Sequence, residues 1–534
     1  MALSNTVFTF IRAHLRFFTL FTTVILLQIT PLAVAAADSA TAVLFAQHCA
    51  QCHGVDRLGG TGPALLPENL ERLKPAGAVK TISAGRAATQ MQGFAGKLSQ
   101  EQIQSLADFI FTPPAHVPRW GLIEINASRV IHFKPGTLGD KPVYKTDPLN
   151  LFLVVEQGDH HATVLDGDKL TPIHRFATRY ALHGGPKYSP DGRFVYLASR
   201  DGWVSKFDMY NLKTVAEIRA GLNTRNLAVS GDGKVVMVGN YLPNTLVALS
   251  ADDLSVLRVI PVEDGKGKGS RVSAVYAAPP RHSFIAALKD LPEVWEIPYD
   301  DQHEPIYPGL VHDYKLGEGI ALEGPFPVRR IRLDAWLDDF FFDQGYKNLI
   351  GASRDGGLGQ VVSLIVGRKV ADIDLPGMPH LGSGITFDYQ GRRVLATPNI
   401  KEPVISVIDM QDWKTIKRLD MQGPGFFMRS HEKSPYAWTD GMMGKHRDTV
   451  ELIDKRTLEV VRQLTPAPGK AAAHVEFDRY AKYVLLSIME PAPDGAVVIY
   501  DARTLREVKR LPMNKPIGKY NVWNKIHYEE GTSH

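Results

Sequence analysis

Cysteine is nearly absent from this sequence. Among 534 residues there are two, Cys49 and Cys52, and both fall in one stretch, Cys49-Ala50-Gln51-Cys52-His53. No thiol is left for a disulfide framework. Charge of one sign is lacking too: 61 Lys+Arg against 57 Asp+Glu give a formal net charge of +4. That is too small and too dispersed for the clustered basic face of a nucleic-acid-binding protein. The N-terminal apolar run, from Phe17 to Ile29, has 13 residues, short of the about 20 that a membrane-spanning helix needs. The 44% hydrophobic and 22% charged fractions exclude a disordered chain, and 46 Gly with 35 Pro, without collagen-like periodicity, indicate many turns around sizeable cores.

Arg12, His14 and Arg16 precede the apolar run, and Pro31 with Ala33-Val34-Ala35-Ala36-Ala37 follows it before Asp38. This is the pattern of a secretory signal peptide over 1–37, which places the mature chain in a bacterial periplasm; an uncleaved anchor is the alternative. Cys-x-x-Cys-His is the attachment signature of c-type heme, in which two thiols add to vinyl groups and the adjacent His supplies an axial nitrogen. A redox Cys-x-x-Cys would need a βαβ setting, and a structural zinc further Cys ligands. A short amphipathic helix over 39–47, a loop over 59–63 and a closing helix over 100–111 frame an all-α class I cytochrome c domain spanning 38–115. Met91, in Met91-Gln92-Gly93-Phe94, stands where such domains carry the sixth ligand; the competing reading is a buried gap-filler. His53 and Met91 together on the heme c iron leave no open position, which suits electron transfer.

After Pro113-Pro114 the sequence repeats an Asp-Gly-type turn, a β-rich run, a second strand ending in Asp, and a third with the pattern x-Leu-x-x-Val. Ser189-Pro190-Asp191-Gly192 opens one copy and Ser230-Gly231-Asp232-Gly233 the next, 41 positions on. A period in the forties with short alternating strands predicts a β-propeller, one four-stranded blade per repeat. The expected fold is therefore mainly β: an eight-bladed propeller over 116–534 behind the cytochrome c domain, closed by its final strand against a start near Leu151. Unusual residues gather in the segments 182–185, 223–225, 270–272, 377–381 and 473–477, which the repeat places ahead of first strands, near the central channel.

A class I cytochrome c domain fused to a propeller with these segments resembles the heme d1 protein family. That family includes the cytochrome cd1 nitrite reductases, the NirF-type biogenesis proteins and the heme c-containing dihydro-heme d1 dehydrogenases. The resemblance spans nearly the whole mature chain. Arg179-Tyr180-Ala181-Leu182-His183 with Ser199-Arg200-Asp201-Gly202 is similar to the nitrite reductase segment that supplies the proximal His to the heme d1 iron. It implies Arg200, Arg225 and Arg271 as partners of the macrocycle's carboxylates. Where nitrite reductases carry two proton-donating distal histidines this chain has Lys289 and Asp338, which implies poor nitrite reduction. Met378-Pro379-His380 and His474-Val475-Glu476-Phe477 are similar to dehydrogenase and NirF-type motifs, and the N-terminal heme, absent from NirF-type proteins, selects the dehydrogenase branch.

The resemblance implies oxidation of a propionate of dihydro-heme d1 to an acrylate, the last step of heme d1 biosynthesis, with electrons passed to heme c. His380 is then the base, His474 an axial ligand of the d1-type iron or a second acid/base group, His183 the competing ligand, and Tyr520 a cover for the macrocycle. Expected partners are dihydro-heme d1 itself and, by transient contact, cytochrome cd1 nitrite reductase and NirF-type proteins, with an unidentified electron acceptor. The alternatives are a nitrite reductase using other donors, and a non-enzymatic heme d1 carrier.

Overall fold

A computed structural model describes residues 40–527, apart from 61, 71–72, 86–90, 116–117, 180–181, 308–319, 353–357 and 376. The signal-peptide reading of 1–37 lies outside the described residues. Among the described residues no helix is long and apolar enough to cross a membrane. The chain divides into two compact units, one within 1–117 and the other made mainly of 118–534.

The first unit is helical. Residues 40–48 form a helix, followed by Ala50–His53, Pro67–Leu70, Lys74–Ala84 and Gln100–Phe111. The last begins where expected because Ser99 and Gln102 form a reciprocal capping box. Its Ile103, Leu106, Ala107 and Ile110 recur at helical spacing and are buried against Phe45, Ile82 and Phe94.

The second unit is a β-propeller of eight antiparallel sheets, one of them five-stranded through an edge strand, Val130–Ile131. Blade one combines Leu151–Glu156, His161–Asp166 and Thr171–Ala177 with the C-terminal strand Pro516–Asn521. Val154 faces Lys519 and Phe152 faces Asn521 across that closure. Apart from that edge strand, each other blade is built from strands consecutive in sequence. First strands such as Asn223–Val229 and Ala472–Phe477 are buried, whereas fourth strands such as Lys414–Asp420 and Glu507–Pro512 are mostly exposed. The first strand is thus the inner one.

The repeat has a local cause. Gly192 and Gly233 adopt φ of +75° and +72°, which glycine reaches without strain, while Ser189 Oγ and Ser230 Oγ accept the Phe194 and Val235 N–H groups, each at 2.9 Å. The Asp that ends the third strand accepts backbone N–H groups two and three residues on, as Asp208 does from Tyr210 and Asn211 at 2.8 and 3.2 Å. The recurrent Leu lies just beyond, with Leu212, Leu254, Leu458 and Leu505 at φ of +55° to +58°. Each Asp-to-Leu pattern is therefore one Asx-type hairpin turn.

Candidate functional site

In the first unit Cys49 caps the helix Ala50–His53, which His53 closes. His53 is buried, and both thiols are half-buried and unbridged. Burial, with Cys52 alongside, pushes the Cys49 thiol up to about 11, opposite in direction to the depressed thiol of a redox Cys-x-x-Cys. Gly60 lets the following loop fold back, since a Cβ there would stand 2.9 Å from the Cys52 carbonyl oxygen. Cys49 and Met91 pack against the same apolar cluster. Among the described residues no three His, Cys, Asp or Glu side chains gather as a metal site. Two thiols and a buried imidazole on one turn, with a thioether against the same core, form a donor set that fits a covalent heme.

In the propeller the sequence-predicted residues line a circuit of inner strands. His183, on the turn into blade two, donates from Nδ1 to the Arg225 carbonyl at 2.7 Å. Its Nε2 accepts from Arg200 Nη2 at 2.9 Å and Arg225 Nη1 at 3.0 Å. With Nδ1–H committed to a carbonyl, the tautomer presents an unprotonated Nε2, as metal-ligating imidazoles do. Arg225 Nε donates onward to the Ser273 carbonyl at 2.9 Å.

Arg225 and His474 lie inside inner strands, whereas the repeat placed their segments ahead of them. Both strands are bulged: the pairing passes from Asn226 to Thr224, skipping Arg225, and from Ala473 to Glu476, skipping His474. His474 takes up the extra residue at φ +56°. A bulged residue leaves the ladder and re-aims its side chain.

Cations gather beside His183. Arg271 pairs with Asp290, its Nε 2.8 Å from Oδ2. Lys289, expected at a distal position, and Asp338 are buried and bonded to each other, Nζ to Oδ1 at 3.0 Å; Nζ also donates to the Tyr241 hydroxyl at 3.0 Å. Arg200, Arg271 and Lys289 lie 5.6, 5.8 and 5.0 Å from the Tyr241 ring centroid. Burial alone would raise the phenol, but Arg225, Lys289 and Arg200 outweigh it and bring Tyr241 down to about 7.

His380 faces the channel from the turn into blade six. Its Nδ1 donates to the Phe426 carbonyl at 2.6 Å, and its Nε2 lies 4.0 Å from Asp339 Oδ2. Phe426 and Phe427 are held by their N–H groups on Asp440, each at 2.9 Å, and burial pushes that carboxyl up to about 6. Phe427 meets His474 edge-on at 4.6 Å, and His474 meets Tyr520 at 4.9 Å. Tyr520 packs under Gly185, where a Cβ would stand 3.2 Å from the ring; this is the turn that carries His183. Burial foremost, then Lys519, Lys525 and Arg429, hold His474 well below the usual imidazole range. Its Nδ1 accepts the Lys519 N–H at 3.4 Å, so the neutral ring carries its proton on Nε2.

Residues 146–313 and 321–525 match the family described as Cytochrome D1 heme domain, and residues 36–110 that described as Cytochrome C oxidase, cbb3-type, subunit III. A dihydro-heme d1 dehydrogenase of Pseudomonas aeruginosa is 56% identical over 491 residues, 92% of this chain and 95% of that protein. The chain belongs to the dihydro-heme d1 dehydrogenase family. A solved structure, dihydro-heme d1 dehydrogenase NirN in complex with DHE, superposes with a TM-score of 0.79 over 91% of this chain and 99% of that one, at 56% identity. A nitrite reductase of Stutzerimonas stutzeri is 25% identical, over 90% of this chain and 92% of that protein.

For this member of the dihydro-heme d1 dehydrogenase family, the structure joins His183, Arg200 and Arg225 by direct hydrogen bonds, and His474 and Tyr520 by ring contact. His380 reaches His474 through Phe426 and Phe427. Sequence reasoning missed Tyr241, Tyr276, Asp339 and Phe427. Tyr241 is the penultimate residue of the strand Val235–Leu242 and reads as an ordinary β aromatic; only its cationic surroundings mark it.

Proposed function

We propose that the protein oxidises the propionate side chain of dihydro-heme d1 to an acrylate in the periplasm, the oxidoreductase step that completes heme d1 biosynthesis. Converting –CH2–CH2– to –CH=CH– releases two protons and two electrons. Heme c, which Cys49 and Cys52 would hold covalently with His53 and Met91 as donors to its iron, would supply a one-electron acceptor.

One observation carries the residue assignments. His183 and His380 both commit Nδ1–H to a carbonyl and so keep Nε2 unprotonated; that of His183 is held by Arg200 and Arg225, which the macrocycle's carboxylates would draw away, and that of His380 lies toward Asp339. His183, among the guanidinium groups, ligates the substrate iron while Arg200, Arg225 and Arg271 take the macrocycle's carboxylates. His380 takes the proton from the propionate carbon. His474, neutral with its proton on Nε2, donates a hydrogen bond to the macrocycle rather than binding its iron, and Tyr520 covers the ring beside it. Lys289 and Asp338, buried and bonded to each other, weigh against nitrite reduction. The product passes by transient contact to cytochrome cd1 nitrite reductase or NirF-type proteins, and the electrons to a protein acceptor.

His380→Ala tests the assignment. Acrylate formation from bound dihydro-heme d1, followed anaerobically by its absorption spectrum, is expected to slow ~100-fold or more while binding persists. Wild-type conversion by that variant removes His380 from the mechanism.

A further inference from the structure

The carboxylate that His380 faces was not foreseen from the sequence, and its setting is built in detail. Asp339 opens the inner strand Asp339–Phe342 of blade five. Oδ2 accepts the Gly382 N–H at 2.7 Å, and Oδ1 accepts the Tyr276 hydroxyl at 2.9 Å and its neighbour's Phe340 N–H at 3.0 Å. Its Oδ2 lies 4.0 Å from His380 Nε2.

Gly382 belongs to the short 3-10 turn Leu381–Ser383, which His380 itself caps. A Cβ on Gly382 would stand 2.5 Å from Asp339 Oδ2, closer than real Cβ atoms approach, and a tight 3.1 Å from the Tyr276 hydroxyl. Three consecutive residues, His380-Leu381-Gly382, thus place an imidazole and the backbone donor that anchors its carboxylate. The other ring nitrogen is fixed by the Phe426 carbonyl. Base, orienting carbonyl and carboxylate come from the entries to blades six, seven and five.

We propose that Asp339, held by Gly382 and Tyr276, is the positioning residue for His380: it receives and stabilises the imidazolium formed when His380 takes the substrate proton. This rests on the reading of His380 as the base. In the step, two C–H bonds of the propionate –CH2–CH2– break: one proton goes to His380 Nε2, the second to solvent, and the two electrons leave singly for one-electron acceptors, which heme c and an external acceptor would supply. Unprotonated Nε2 has no hydrogen to give the carboxylate, in keeping with the 4.0 Å separation; once it takes the proton it gains a donor that Asp339 can accept. The other groups facing this pair are Lys187, whose Nζ lies 5.4 Å from the Tyr276 ring centroid, Arg225, and, behind Phe426 and Phe427, Asp440 and neutral His474.

The experiment compares the wild type, Asp339→Asn, Tyr276→Phe and His380→Ala as full-length protein carrying heme c. Dihydro-heme d1 affinity is read by spectral titration, and the rate of acrylate formation is read across pH. Asp339→Asn is expected to bind dihydro-heme d1 within about twofold of wild type but to convert it at least ~10-fold more slowly. The acid limb of its rate profile moves to lower pH, because the imidazolium has lost its anion. Tyr276→Phe, which keeps the carboxylate but removes one donor, slows conversion severalfold with unchanged affinity. Wild-type rates and pH profiles in both variants overturn the proposal. So does Asp339→Asn weakening affinity while bound substrate reacts at the wild-type rate. Should Asp339→Asn fail to fold, an unchanged Tyr276→Phe decides against the proposal and a slowed one for it. His380→Ala converting normally instead removes the base reading on which the proposal rests, a result the Asp339 variant cannot mimic.

Discussion

Tyr241 has its ionisation set by the same cations that await the substrate. With its phenol brought down to about 7, the sector of Arg200, Arg225, Arg271 and Lys289 carries one more net positive charge below that pH than above it. A macrocycle bearing carboxylates is therefore expected to bind more tightly in mild acid, its affinity falling ~3- to 10-fold as pH rises through the titration. In Tyr241→Phe that dependence should vanish. Spectral titration of dihydro-heme d1 at several pH values reads it, and an identical slope in both proteins contradicts this assignment. His183, Arg225, Arg271, His380 and His474 drew notice in the sequence because their segments depart from a repeat at a matching place, and Arg200 through the family resemblance. Tyr241 and Asp339 did not. An aromatic near a strand's end and an acid opening one are ordinary β-sheet residues, and their meaning lies in partners from other blades.

At the scale of elements, the propeller closes through one strand and the helix behind it. Glu476, on the inner strand of blade eight, accepts from Arg429 of blade seven through both oxygens at 3.1 Å. It also accepts from Asn524 at 2.8 Å, on the helix Val522–Ile526 that follows the closing strand. Arg429 and Glu476 are 3% and 1% exposed, so removing one partner strands a buried charge. Glu476→Ala is expected to cost about 3–5 kcal/mol, read from urea unfolding followed by tryptophan fluorescence. A loss under about 1 kcal/mol would show that the pair only breaks even against its desolvation. The blades were legible because the Gly of each Asp-Gly turn and the Asp that begins each hairpin impose backbone conformations few residues replace. The bulges at Arg225 and His474 were not, since an extra residue in a buried strand changes register without changing composition.

For the whole molecule, the scarcity of cysteine has a structural counterpart. The propeller is held by strand closure between its two ends and by apolar clusters between blades, while the two thiols sit on one helical turn of the other unit. The account divides the labour accordingly: the propeller binds the macrocycle and takes the proton, and heme c takes the electrons one at a time. A carrier would need the first half alone. The direct test is an anaerobic single turnover of the purified protein, heme c oxidised, mixed with one equivalent of dihydro-heme d1 and an excess of a one-electron acceptor. The account predicts the acrylate spectrum, two equivalents of acceptor reduced per macrocycle, and transient reduction of heme c on the way. Tight binding with no acrylate and no reduced acceptor would contradict it.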